Sequence, residues 1–263
     1  MAPDCPGAET DLTDEQWDMI TRFIPPEKPG GRHRELNLRD VINAILYVTV
    51  SGIQWRMLPH DFPNWSSVYG YFWRWRNTGV WQRIHDTLRA QVRQQAGRHK
   101  HPTAGCLDSQ SVKTTQIPGE RGYDAGKKVN GRKRHILVDT LGLLLAVVVT
   151  TASVQDRDGA RLLFARLGGA CKKLRKIWVD GGYRGSLLTW VAEHFRFVLH
   201  LVQRPPEQRG FAVLPRRWVV ERTFSWFTFC RRLSKDYERH TKTSETFIYI
   251  TMTRLMLRRL APG

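Results

Sequence analysis

Arg216-Arg217-Trp218-Val219-Val220-Glu221-Arg222-Thr223-Phe224-Ser225-Trp226 reads as a helix with two unlike faces. At about 3.6 residues per turn, Val219, Thr223 and Trp226 fall on one side, continued by Cys230 and Leu233. Arg217, Glu221 and Ser225 fall on the other, continued by Thr228, Arg232 and Lys235. Glu221 is the only acid on that polar stripe, and Pro215 suits the first helical position, where a missing N–H costs nothing. On its own an Arg217–Glu221 pair at i,i+4 reads more often as a solvated salt bridge than as a metal ligand. Its meaning depends on what the chain places upstream.

Working outward, the second half alternates strands and helices. Strands are predicted over Ala104–Val112, His135–Asp139 and Leu143–Thr151, the last two joined by the turn Asp139-Thr140-Leu141-Gly142. A helix follows over Asp156–Leu167, with Asp156 and Asp158 suiting its start. Then come a strand at Lys176–Asp180 closed by Gly181-Gly182, a helix at Ser186–Glu193 and a strand at Phe195–Val202. A polar, proline-containing loop leads to the Glu221 helix, and Ser244–Leu260 is predicted as an amphipathic helix with Ile248, Met252, Leu255 and Met256 on one face. The expected class is α/β, a mixed sheet with flanking helices. If the first and fourth strands are parallel neighbours, Asp108 and Asp180 meet at one edge of the sheet. The Glu221 helix can then bring its carboxylate over them, and the glycines after Asp180 allow close approach of a ligand.

Before residue 98 the pattern is all helical. Residues 1–10 are expected to be disordered. Thr13 and Gln16 form a capping box for a first helix carrying Trp17, Ile20 and Ile24. A second helix runs from about Leu38 to Ser51, ended by Gly52, and a third begins near Asn64 or Ser66 and carries Tyr69, Phe72, Trp73, Arg74 and Arg76. A fourth covers about Val80 to Gln95. Residues 11–97 therefore read as a small all-α, helix-turn-helix-like DNA-binding domain with Arg74 and Arg76 as candidate DNA contacts. The plain alternative is a helical bundle in which Trp73 and Trp75 are core. Residues 98–263 form the second predicted domain.

The chain carries a net charge of +18 over 263 residues, with 41% hydrophobic residues, so it is a globular protein whose natural partner is a polyanion. The apolar run Leu143–Val149 is too short to span a bilayer, and the N-terminus has no leader pattern. Four scattered cysteines fit a reducing cytoplasm and neither a zinc site nor a disulfide framework. No membrane association is expected.

Three convergent carboxylates repel one another unless cations neutralise them, and hard divalent ions with oxygen ligands do this. Two ions about 3.5–4 Å apart activate an attacking oxygen and stabilise the leaving oxygen of a phosphodiester. On a strongly basic chain this points to a nuclease or strand-transfer enzyme. The glycine- and cation-rich arm Gly119–Arg134, with Lys127, Lys128, Arg132, Lys133 and Arg134, is expected to touch DNA phosphates. Asp139 is explained by its turn, and His135 reads as an ordinary strand histidine.

Leu107-Asp108-Ser109-Gln110-Ser111-Val112-Lys113, Val179-Asp180-Gly181-Gly182-Tyr183-Arg184-Gly185 and Arg217-Trp218-Val219-Val220-Glu221-Arg222-Thr223-Phe224 resemble the three acidic motifs of bacterial DDE transposases of the insertion-sequence-five family. Gly131–His135 and Ser153–Asp158 are also similar to that family, and Leu12–Trp17 and Trp55–Pro59 resemble its N-terminal domain. The resemblance spans about residues 11–260. It implies an RNase H-like catalytic domain, two Mg²⁺ or Mn²⁺ ions on Asp108, Asp180 and Glu221, and cleavage and joining of double-stranded DNA at the terminal repeats of an insertion sequence. Arg217 matches the motif's arginine, and Arg184 and Arg232 join the candidate DNA contacts. Pairing two element ends implies a homodimer or larger assembly on DNA. The chain departs from the family where a basic residue usually follows the glutamate by about two turns: Thr228 and Phe229 stand there. That departure keeps open a catalytically impaired DNA-binding remnant, and the chemistry alone keeps open a nuclease that cannot join strands.

Overall fold

The first helix, α1 (Asp14–Thr21), starts on the predicted capping box: Gln16 N–H donates to Thr13 Oγ1, and Thr13 N–H donates to Gln16 Oε1. The structure is a computed structural model of the chain, and it describes residues 10–27, 30, 33–116, 119–167, 171–202 and 216–262. The expected disordered N-terminus and Pro215 therefore lie outside the described residues, Thr10 excepted. Helix α2 (Leu38–Ser51) begins at Asn37, whose side chain accepts from Arg39 N–H, and ends at Gly52 in the left-handed region (φ 75°). Helices α3 (Trp65–Asn77) and α4 (Val80–Gln95) follow. Trp75 is buried as expected of core, whereas Trp73 is half exposed, at 51%.

A mixed sheet follows, built from β1 (Ala104–Lys113), β2 (Gly122–Asp124), β3 (Val129–Asp139), β4 (Leu144–Thr151), β5 (Lys176–Val179) and β6 (Val198–Leu201). The strand β3 pairs antiparallel with β1 on one edge, and with β2 and β4 on the other. On its far edge β1 pairs parallel with β5, and β5 pairs parallel with β6. The conditional expectation that the Asp108 strand lies beside the Asp180 strand in parallel is thus met.

Alternation along the strands divides the interior. Leu107, Leu137, Leu145, Ile177 and Val179 face α5 (Asp156–Ala165) and α6 (Ser186–His194), packing with Leu163, Phe164, Tyr183, Leu187 and Val191. Cys106, Ile136, Val138, Leu144 and Val147 face the other way, onto α7 (Trp218–Phe227), α8 (Thr241–Leu260) and the N-terminal helices. On that side one continuous core runs from Ile20, Ile42 and Trp81 through Ile248 and Met252 to the sheet.

Three expectations change here. The cationic arm is folded into the sheet: residues 129–134 extend β3 beyond the predicted start at His135. The tail helix α8 is not amphipathic in use. Phe247, Ile250, Thr251, Met252 and Thr253 are all buried, because α8 lies between the N-terminal helices and β4. Finally, α7 stops at Phe227, and a 3-10 turn carries Arg231–Leu233, so Cys230 and Leu233 lie beyond the helix. At that stop Thr228 Oγ1 donates back to Ser225 O at 2.7 Å, a local bond that competes with continued helix.

Candidate active site

The parallel register sets the geometry. Ala104, Gly105 and Cys106 on β1 pair with Lys176, Ile177 and Trp178 on β5. Continued by two residues, the same register puts Asp108 level with Asp180, immediately past the end of β5. Each carboxylate then divides its two oxygens between the same tasks. Asp108 Oδ1 accepts from Ser109 N–H at 2.7 Å, and Asp180 Oδ1 accepts from Gly182 N–H at 2.8 Å. The second oxygens turn to one atom: Arg217 Nη2 is 3.2 Å from Asp108 Oδ2 and 3.5 Å from Asp180 Oδ2. A Cβ at Gly182 would stand 3.0 Å from Asp180 Oδ1, so a side chain there would crowd the turn.

Burial pushes the Asp108 carboxyl up from its ordinary range, against the opposing pull of the Ser109 N–H and Arg217; the nearby Asp180 adds to the rise. Such a pair suits a hard divalent cation, because two carboxylate oxygens already converge on one positive atom. The third expected member does not join them. Glu221 is exposed on α7 and makes no hydrogen bond or ion pair with the described residues. Among the described residues no three His, Cys, Asp or Glu side chains are grouped to hold a metal ion. The donor set fits in two of its three parts.

A second polar layer lies behind the pair, and the sequence reading did not anticipate it. Ser109 Oγ donates to Asp156 Oδ1 at 2.7 Å, tying the start of α5 to β1 beside Asp108. Lys133 Nζ sits 3.2 Å from Asp156 and 3.3 Å from Asp124. Burial alone would raise Asp124, but the Ser111 hydroxyl, the Lys127 N–H and Lys133 hold it down at about 2. Beneath them the Tyr183 phenol is fully buried; burial, then Asp108, Asp156 and Asp180, push it well above its ordinary value, so it stays neutral. One signal for this layer was present. Ser109 and Ser111 share the β1 face opposite to Asp108, and Lys133 is sandwiched in sequence between two arginines that point the other way.

The other expected DNA contacts separate into two sets. Arg132 and Arg134 are each only 1% exposed. Arg132 donates to Asp236 and Ser244 and to the carbonyls of Glu120, Glu238 and Arg239; Arg134 donates to Gln110 and to the carbonyls of Leu233 and Lys235. Arg232 is buried against Glu238 and the carbonyl of Ile53. Lys133 is spent on Asp124, Asp156 and the carbonyl of Val154. These four cations are buried and turned to acceptors within the protein, which corrects the expectation that they lie open to DNA phosphates. Lys128, Arg184 and Arg74 are exposed, Arg76 is half-buried and bonds Thr243, and exposed Lys127 reaches the carbonyl of Ser109. Asp139 accepts from Leu141 and Leu143 N–H and pairs with Arg93, as a turn residue should.

A family described as "Transposase DDE domain" matches residues 99–256, more than half of the chain. The chain belongs to the DDE transposases. Residues 12–85 match a second family, described as "Putative transposase of IS4/5 family (DUF4096)", which places the DDE transposase in the IS4/5 group. The chain is 32% identical over 126 residues to "Insertion element IS402 uncharacterized 16.2 kDa protein" of Burkholderia cepacia, covering 45% of this chain and 78% of that relative. It is 29% identical over 125 residues to "Putative transposase for insertion sequence element IS402" of the same organism, covering 45% of this chain and 59% of that relative. An "Uncharacterized protein y4sN" of Sinorhizobium fredii is 35% identical over 77 residues, covering 29% of this chain and 58% of that relative. No solved structure matches the chain.

Proposed function

We propose that this DDE transposase cuts double-stranded DNA at the terminal repeats of an insertion sequence and joins the freed 3′ ends to target DNA. The observation that carries the reading is the convergence of Asp108, within β1, and Asp180, just past the end of the parallel strand β5, inside the DDE domain. Four strands joined by antiparallel pairing (β1 to β4) followed by two added in parallel (β5 and β6), with helices on both faces, support an RNase H-like catalytic domain.

Asp108 and Asp180 would hold Mg²⁺ or Mn²⁺, with Glu221 as the third carboxylate once DNA is bound. Two such ions, when present, supply activation of the attacking oxygen and neutralisation of the leaving one. The chain's own residues set that pair. The Ser109 and Gly182 N–H groups fix the two carboxylates, and Asp156 with Lys133 holds β1 against α5 behind them. Exposed Lys127, Lys128 and Arg184 contact phosphates, as do Arg74 and Arg76 on α3; phosphate contacts position DNA without reading its sequence. The N-terminal helices act as the helix-turn-helix-like binding module, the protein works as a homodimer or larger assembly on two ends, and its place is the bacterial cytoplasm, on the nucleoid. Among the described residues no helix is long and apolar enough to cross a membrane.

The test is strand transfer by purified protein, with a labelled pre-cleaved element end, supercoiled target plasmid and Mg²⁺ or Mn²⁺. Joined product that disappears in Asp180→Asn, with end binding retained, supports the reading. Hydrolysis without joining would move the assignment to a nuclease. Binding without either reaction would make Thr228 and Phe229, both exposed just past α7, the first positions to revert to a basic residue.

A further inference from the structure

The atom between the two catalytic carboxylates is a protein nitrogen. Arg217 Nη2 alone faces both Asp108 Oδ2 and Asp180 Oδ2. It is held there by its surroundings. Arg216 carries a left-handed φ of 72°, its guanidinium lies 5.2 Å from the centre of the Trp178 ring, and its carbonyl accepts from Cys106 Sγ at 3.1 Å. The two consecutive arginines are thereby folded over the end of β5 and the middle of β1, the first on the ring and the second on the acids. Arg217 itself is only partly buried, its side chain 19% exposed, and its Nε is enclosed without a hydrogen-bond partner. A non-glycine residue in the left-handed region costs about 1–2 kcal/mol, so this turn is maintained by contacts and not by backbone preference.

We propose that Arg217 is an internal counter-cation: in the DNA-free protein it neutralises Asp108 and Asp180 in competition with divalent metal ions, and a DNA phosphate draws it off. Metal loading and DNA binding are then coupled through one side chain. The inference rests on the reading of Asp108 and Asp180 as the metal-holding pair. Its logic is electrostatic. Two carboxylates this close need a positive partner, and a guanidinium and a divalent ion facing the same two oxygens repel each other and compete for them. A phosphate offers the guanidinium the bidentate partner it prefers, and the vacated carboxylates then favour the ion. Glu221, four residues on along α7, is free of described partners in this arrangement, as a ligand waiting for that exchange should be.

The experiment measures Mn²⁺ affinity by calorimetry and by Mn²⁺ spin resonance, with and without a duplex oligonucleotide, in the full chain and in Asp108→Asn, Arg217→Gln and Arg217→Lys. Without DNA, Arg217→Gln is expected to bind Mn²⁺ on the order of tenfold more tightly than the parent, a typical coupling between sites. Adding DNA tightens Mn²⁺ binding in the parent and not in Arg217→Gln. Arg217→Lys, which keeps a cation, falls between. Unchanged or weaker Mn²⁺ binding in Arg217→Gln, or a Lys variant as tight as the Gln variant, overturns the proposal and leaves Arg217 a positioning residue. Equal Mn²⁺ binding in the parent and Asp108→Asn overturns the carboxylate reading beneath it, a result distinguishable from the first.

Discussion

His135 is buried on β3 with Nε2 3.0 Å from Thr150 Oγ1, and Gly159 on α5 packs against its ring. Burial holds the imidazole down at about 4 from an ordinary 6.5. A histidine depressed in the fold must give up that environment to be protonated, so its contribution is intact above about pH 6.5 and is lost as pH falls towards 4. The full swing is on the order of 3 kcal/mol. Denaturant titrations across that window should show the loss, and His135→Gln should flatten it; His85, also depressed by burial, contributes with the same sign. Asp108 carries the opposite linkage. Its pKa is raised in the fold, so ionisation costs stability as pH rises past the unfolded value of 3.8. Asp108→Asn is therefore expected to melt higher than the parent at neutral pH, with the difference closing near pH 3; a lower melting temperature would mean the carboxylate is structural. At Gly159 an added Cβ would come within 2.1 Å of the His135 ring, so Gly159→Ala should destabilise by about 1–3 kcal/mol in the same titrations.

At the scale of elements, what the sequence could and could not show follows from what side chains do locally. The Thr13–Gln16 cap and the stop at Gly52 were legible because they are local and act within a few residues of themselves; the Asn37 cap is equally local and was not read. Asp108 and Asp180 were legible as a pair because one sits inside a strand and the other ends one before two glycines. The roles of Arg132, Arg134 and Arg232 were not, since each finds its acceptors about 100 residues or more away, apart from the near Glu120, Gln110 and Glu238. A buried and a solvated arginine look alike in one chain. Helix α8 misled for a related reason: Thr251 reads as part of its polar side with Arg254 and Arg258, yet it is enclosed by neighbours. Glu245 shows how α8 docks. Its Oε1 accepts from Val149 N–H at 3.0 Å, and its Oε2 pairs with Arg166 at 2.7 Å. Glu245→Ala strands a buried strand amide and should cost about 1–3 kcal/mol by chemical denaturation, whereas Glu245→Gln, which can still accept, should cost less.

Across the whole molecule, the expected division at residue 97 does not correspond to a division of the core. Arg89 donates to the carbonyl of Leu144 at 3.0 Å, Arg93 pairs with Asp139, and α1, α2, α3 and α4 all pack on α8. Unfolding should therefore be one cooperative transition by fluorescence and by circular dichroism together. A fragment of residues 11–97 should lack native helix content, because Ile42, Trp81 and Ile84 lose the partners that bury them. A folded fragment would restore the two-domain description. The position of α8 has a further effect on how the protein comes into being. Every helix from the first hundred residues waits for a partner translated after the sheet, so a ribosome can release none of them in finished form until residue 260 has emerged. A chain that stops before α8 leaves the apolar faces of α1 to α4 without the helix that covers them.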